Sequence, residues 1–68
     1  MGIRMCIYDV SRGVFDEMAD LFTDRPQYGM VEYEGTQYRG VMTIEIKKSD
    51  SDTTRKVLGL ISDILKKY

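Results

Sequence analysis

Two runs of apolar residues at helical spacing constrain this chain most. Within residues 12–23, Val14, Phe15, Met18, Ala19, Leu21 and Phe22 share one stripe, and Asp16, Glu17 and Asp20 lie opposite. Near the end of the chain, Val57, Leu58, Leu60, Ile61, Ile64, Leu65 and Tyr68 define a wider stripe, with Lys56, Asp63, Lys66 and Lys67 off it. An amphipathic helix is stable only when its stripe has an apolar surface to lie on. The remaining residues of a 68-residue chain must supply one surface that serves both helices.

Those residues read as strands. Residues 3–10 (IRMCIYDV) alternate Ile3, Met5 and Ile7 with Arg4, Cys6 and Tyr8. Ser11 suits the N-cap of the first helix, because its hydroxyl can accept from a free amide of the first turn. Thr23-Asp24-Arg25-Pro26 ends that helix, since proline disfavours helical geometry in the residue before it. Residues 28–34 (YGMVEYE) and 37–48 (QYRGVMTIEIKK) form two more strands around Gly35-Thr36, where a leading glycine suits a type II′ hairpin turn. Closing there predicts the pairs Glu34–Gln37, Tyr33–Tyr38, Glu32–Arg39, Val31–Gly40 and Met30–Val41, matching charge with charge and ring with ring. Ser49-Asp50-Ser51-Asp52 offers several N-caps for the last helix, and Lys66 and Lys67 in its final turn complement the helix dipole. Gly59 within it serves close packing or is merely tolerated.

The order β-α-β-β-α predicts an α+β two-layer sandwich: one domain, residues 1–68, with two helices on one face of a three-stranded sheet. If the first two strands run parallel, the β-α-β part is a crossover. The whole is a ferredoxin-like unit short of its last strand, which leaves a sheet edge to be covered or paired. The helix-covered face takes Ile3, Met5, Ile7, Val31, Tyr33, Tyr38, Met42, Ile44 and Ile46. The outer face takes Arg4, Cys6, Tyr8, Tyr28, Met30, Glu32, Arg39, Val41, Thr43 and Glu45. Cys6, Tyr8, Tyr28, Met30 and Val41 form an apolar patch in its middle, with a rim of Arg and Glu. Such a patch marks a contact site when contiguous, or is the ordinary scatter of apolar residues on a small protein.

A chain this short buries only about 60% of its unfolded surface, so small domains often need a staple. One cysteine forms no internal disulfide, and the absence of histidine removes the usual zinc ligand sets. What remains is good packing or self-association. A hydrophobic share of 43% against 31% charged is that of a folded domain. No apolar run reaches the ~18 residues of a membrane span. The start, MGIRMCIYDV, lacks a signal-peptide pattern, and Cys6 stands where a myristoylation signal needs Ser or Thr. The expected setting is cytoplasmic, without membrane association. Residues 1–34 carry net −4 and residues 35–68 net +3, an asymmetry that can steer association or simply reflect two solvated helix faces.

The side chains that carry chemistry are sparse. No histidine is present to activate a Ser or Cys nucleophile, and Cys6 reads as a small hydrophobe. Asp50-Ser51-Asp52 lacks the glycine and terminal glutamate of a calcium loop and reads as a helix cap. No glycine-rich phosphate loop occurs. Asp9 is the one carboxylate at the C-terminal end of a strand, the edge where α/β sites form. The string Ile7-Tyr8-Asp9-Val10-Ser11 resembles the first strand of a small CRISPR-associated family of ferredoxin-like dimers. That resemblance implies a metal-linked aspartate at Asp9. It covers five residues, and the family's later strand motif and final strand have no counterpart here. No catalytic residue, metal or cofactor is assigned.

The expectation is therefore a non-enzymatic protein that binds another protein as a regulator or inhibitor, of the compact kind that phages and mobile elements encode. Its contact residues would be Tyr8, Tyr28, Met30 and Val41 on the outer sheet face and Asp16, Glu17 and Asp20 on the acidic first helix. A homodimer is expected beside or instead of that partner. The alternative is a nucleic-acid-binding regulator using a basic edge of Lys47, Lys48, Arg55 and Lys56.

Overall fold

A computed structural model describes residues 2–68; Met1, and its part in the reading of the N-terminus, lies outside the described residues. The elements are β1 (Ile3–Ser11), α1 (Arg12–Asp24), a 3-10 turn (Pro26–Tyr28), β2 (Gly29–Gly35), β3 (Arg39–Ile46) and α2 (Ser51–Leu65). The fold is the α+β sandwich expected from the β-α-β-β-α order. The strands lie in the order β1-β3-β2, and β3 is antiparallel to both neighbours. β1 and β2 thus run in the same direction with β3 between them.

One face of the sheet carries both helices. Met42, Ile44 and Ile46 of β3 meet Val14, Met18, Leu21 and Phe22 of α1 and Val57 and Ile61 of α2 in one core. Ser11 caps α1 by accepting from Val14 N–H at 3.4 Å. Asp50 caps α2 by accepting from Thr53 N–H at 2.7 Å, which holds its carboxyl below the usual range. α2 ends at Leu65, so Lys66 and Lys67 fall beyond its last turn rather than within it. Gly59 has open space where a Cβ would stand, so it is tolerated rather than required for packing.

The hairpin register differs from the expected one. The observed pairs are Gly35–Gly40, Glu34–Val41, Tyr33–Met42, Glu32–Thr43, Val31–Ile44 and Met30–Glu45. The turn is centred on Gln37-Tyr38, because the Thr36 hydroxyl accepts from Tyr38 and Arg39 N–H and the Thr36 N–H donates to the Arg39 carbonyl. Gly35 ends the strand instead of opening the turn. It has φ +157, and a Cβ there would lie 2.4 Å from the Gly40 Cα. Tyr38, expected on the covered face, is 73% exposed in the turn. Arg39 pairs with Asp9 instead of Glu32. Each partner moves by four residues, an even number, so every other strand side chain keeps its expected face.

β1 contains a bulge. Tyr8 and Asp9 together oppose the single residue Val41, between the pairs Ile7–Met42 and Val10–Gly40. Asp9 has φ 59, the left-handed conformation that an extra strand residue adopts in such bulges. The bulge resets the alternation, which is why Val10 points inward and is buried.

Candidate functional site

The outer face of the sheet has no helix over it. Along β1 it presents Arg4, Cys6 and Tyr8; along β3, Val41, Thr43 and Glu45; along β2, Met30, Glu32 and Glu34. Tyr8 is 73% and Met30 48% exposed, while Val41 and Thr43 between them are half-buried by their neighbours. Polar pairs tie the strands together across this face. Arg4 meets Glu45 at 3.7 Å, and the Cys6 thiol lies 3.7 Å from the Thr43 hydroxyl. At the far end Arg39 clamps the bulge, donating to the Asp9 carbonyl at 2.8 Å and meeting its carboxylate at 3.2 Å. The Asp9 carboxylate is therefore occupied by a cation from β3. Among the described residues, no three Cys, Asp or Glu side chains converge as a metal site.

Of the seven residues expected to contact a protein partner, three share this face: Tyr8, Met30 and Val41. Tyr28 does not. It lies in the 3-10 turn after Pro26 and packs half-buried against the core, because proline breaks the alternation that would have carried it outward. Asp16, Glu17 and Asp20 lie on α1, whose buried stripe faces the sheet, so their side of the helix points away from the outer face. Tyr8 and Asp20 thus belong to opposite surfaces of the molecule.

The α1 carboxylates are also partly engaged within the chain. Asp16 pairs with Arg12 at 3.3 Å, one helical turn back. Glu17 accepts from Lys67 Nζ at 2.7 Å and from the Tyr68 hydroxyl. The Lys67 hydrogen bond first, and the Tyr68 bond second, hold the Glu17 carboxyl below its ordinary range. The same carboxylate raises Lys67 and Tyr68. Asp20 is exposed. No sequence signal announced the tether, because its partners stand fifty residues apart.

The four basic residues of the alternative site are all exposed, and among the described residues none of them forms an ion pair. Lys47 and Lys48 line a groove of about 490 Å³ at one end of the sheet, together with Ile3, Arg4, Met30 and Glu45. No aromatic side chain lines it. Arg55 and Lys56 stand apart from this groove on α2.

No family model, curated protein or solved structure matches the chain. No helix among the described residues is long and apolar enough to cross a membrane.

Proposed function

We propose that the chain is a non-enzymatic protein-binding module that regulates or inhibits its partner through the outer face of the sheet. One observation carries the reading: Tyr8 and Met30 stand exposed on the two outer strands of an uncovered face, with Cys6, Val41 and Thr43 filling the space between. Tyr and Met are the side chains enriched at the centres of protein interfaces. The charge around them argues for the class of partner. Glu32 and Glu34 on β2 have no ion-pair partner among the described residues, whereas Arg4 and Arg39 are paired with Glu45 and Asp9. The rim is thus acidic, which favours a protein with a basic rim and opposes a phosphate backbone. Regulation by occupancy needs nothing more than this surface. The acidic side of α1 belongs to a separate contact, if it takes part.

The test compares capture from host extract by the wild-type protein and by a Tyr8→Lys/Met30→Lys variant. Both side chains are exposed, so the variant is expected to keep its melting temperature. A partner retained by the wild type and lost by the variant supports the outer face; equal capture by both rejects it.

The second reading is nucleic-acid binding at the basic edge, favoured by the unpaired state of Lys47, Lys48, Arg55 and Lys56. Binding of single-stranded or duplex probes should weaken steeply between about 50 and 200 mM salt if it uses phosphate contacts. Absence of binding at the lower salt eliminates this reading.

A further inference from the structure

The edge of β1 has an identifiable set of free backbone groups. Lys47 N–H donates to the Tyr28 carbonyl and Thr36 N–H to the Arg39 carbonyl, which fixes the hydrogen-bonding phase of the β2–β3 ladder. In an antiparallel ladder that phase alternates residue by residue. Ile46, Ile44 and Met42 therefore direct their backbone groups to β1, where they meet Ile3, Met5 and Ile7. The backbone groups of Arg4 and Cys6 point the other way, off the edge of the sheet. At the bulge the edge ends, because Arg39 takes the Asp9 carbonyl.

The apolar layer above this edge is unfinished. Ile3 is 43% exposed although its side chain faces the helix layer, and Met5 and Ile7 are only half-buried. α2 runs above β1. Thr54 in its first turns lies by Ile3, and Tyr68 beyond its end reaches Gly13 at the start of α1. Val57 and Ile61 mark the buried side of α2. At 100° per residue, Leu58 lies on the flank of that side opposite Leu60, and Leu60 packs against the core whereas Leu58 does not. Leu58 is 36% exposed.

We propose that a second copy of this chain covers this edge, β1 pairing antiparallel with β1 about a two-fold axis at Met5 to form one continuous six-stranded sheet. In that register Arg4 and Cys6 of each copy exchange their free backbone hydrogen bonds. On the inner layer Met5 faces its own counterpart and Ile3 faces Ile7, so every inner pair is apolar. A register centred on Cys6 sets Ile3 against Asp9 and crosses the bulge. The charges favour this edge over the other. Pairing β2 with itself crowds Glu32 and Glu34 against their copies, and like charges across strands are destabilising. The one charge on the paired stretch of β1, Arg4, is neutralised by Glu45. Five paired residues span about 17 Å under a helix layer about 10 Å away. A contact of five paired residues and one helix flank is at the small end of specific interfaces. The dimer is accordingly weak and concentration-dependent. It is independent of the outer-face reading, because it uses the strand edge and the inner layer and leaves Tyr8 and Met30 exposed.

Sedimentation equilibrium between about 5 and 500 µM should show the mass doubling, in the affinity range of small interfaces. Amide exchange at Arg4 and Cys6 should slow at least about tenfold over that range, because these amides gain partners only in the dimer. Cys6→Pro removes an N–H that β3 does not use, and Leu58→Glu charges the flank without touching the buried core. Each should weaken the dimer about tenfold or more while the monomer stays folded. A chain that stays monomeric at every concentration overturns the proposal. So does a dimer unmoved by Leu58→Glu in which Arg4 and Cys6 exchange at an unchanged rate. Protection of those two amides only when a different protein is bound assigns the edge to that partner and equally overturns it.

Discussion

α1 and α2 differ in how completely they are buried. The shorter helix, α1, fully buries Val14, Met18, Leu21 and Phe22 and packs chiefly against β2. α2 is two residues longer, yet it fully buries only Val57 and Ile61 and leaves Leu58 partly in water. In the sheet the two outer strands differ only at one end: Val31 and Tyr33 on β2 and Met5 and Ile7 on β1 are all half-buried. On β3 the inward residues Met42, Ile44 and Ile46 are sealed, whereas on β1 Ile3 is not. The difference teaches that stability and availability are divided between two flanks. The α1–β2 flank closes the core, and the α2–β1 flank keeps apolar surface and free backbone groups accessible.

The largest test of this comparison is a truncation on each flank. Phe22→Ala should cost about 4 kcal/mol, since it removes a large buried side chain and leaves a cavity. Leu58→Ala should cost far less, about 1 kcal/mol, because Leu58 is 36% exposed and stands outside the buried core. Urea midpoints measured at low micromolar protein would check both. Equal losses would mean that the flanks are equally structural.

Next in size is the end of β1. Asp9 holds φ 59, which a β-branched residue adopts only with strain. Asp9→Val should destabilise by about 1–2 kcal/mol. Asp9→Gly removes that strain and should be close to neutral, with the lost Arg39 pair a small debit because both groups are exposed. A neutral Asp9→Val would show that the bulge is not held in this conformation.

The faces of the strands were legible in the sequence, and the pairings were not. Alternation assigns Ile44 inward and Thr43 outward whichever residues they oppose, so it survives the four-residue displacement of the hairpin. The register depended on where the turn fell. Gly35-Thr36 carried a turn signal, but two contacts within the hairpin overrode it: the close approach of Gly35 to Gly40, and a Thr36 hydroxyl that accepts from the amides of Tyr38 and Arg39. Tyr28 departs from the period-two alternation because it belongs to the 3-10 turn Pro26–Tyr28 and not to β2. The candidate surface was legible as far as Tyr8, Met30 and Val41, which follow from alternation alone. The separation of α1's acidic side from that surface was legible too, since the β-α-β-β-α order places both helices on the other face of the sheet.

A smaller change sharpens the comparison from within α2. Gly59 is helical, exposed and clear of neighbours where a Cβ would stand. Gly59→Ala should therefore raise the thermal midpoint, by an increment equivalent to about 1 kcal/mol. If α2's looser seating came from a packing need at Gly59, the substitution would instead lower it.

The smallest effect belongs to the tether that joins the two flanks. Lys67 and Tyr68, just past α2, both reach Glu17 on α1. Glu17 titrates below its ordinary 4.5, chiefly through the Lys67 hydrogen bond. Its contribution is therefore present above pH 4.5 and lost as pH falls through the lowered value. Lys67 and Tyr68 are raised above 10.5 and 10.0, chiefly by their hydrogen bonds to Glu17, so their contribution is present below pH 10 and lost as pH rises through the raised values. The tether should hold across the middle of the pH range and release at both ends. Because Lys67 and Tyr68 are exposed and Glu17 lies at the margin of the core, release should free the residues after Leu65 and leave the core intact. Side-chain shifts of Tyr68 followed by NMR should show one inflection in acid, transmitted from Glu17, and a second in alkali from its own hydroxyl. An alkaline inflection alone would mean that Tyr68 does not touch Glu17, leaving α2 held at that end by Ile61 and its half-buried neighbours Ile64 and Leu65.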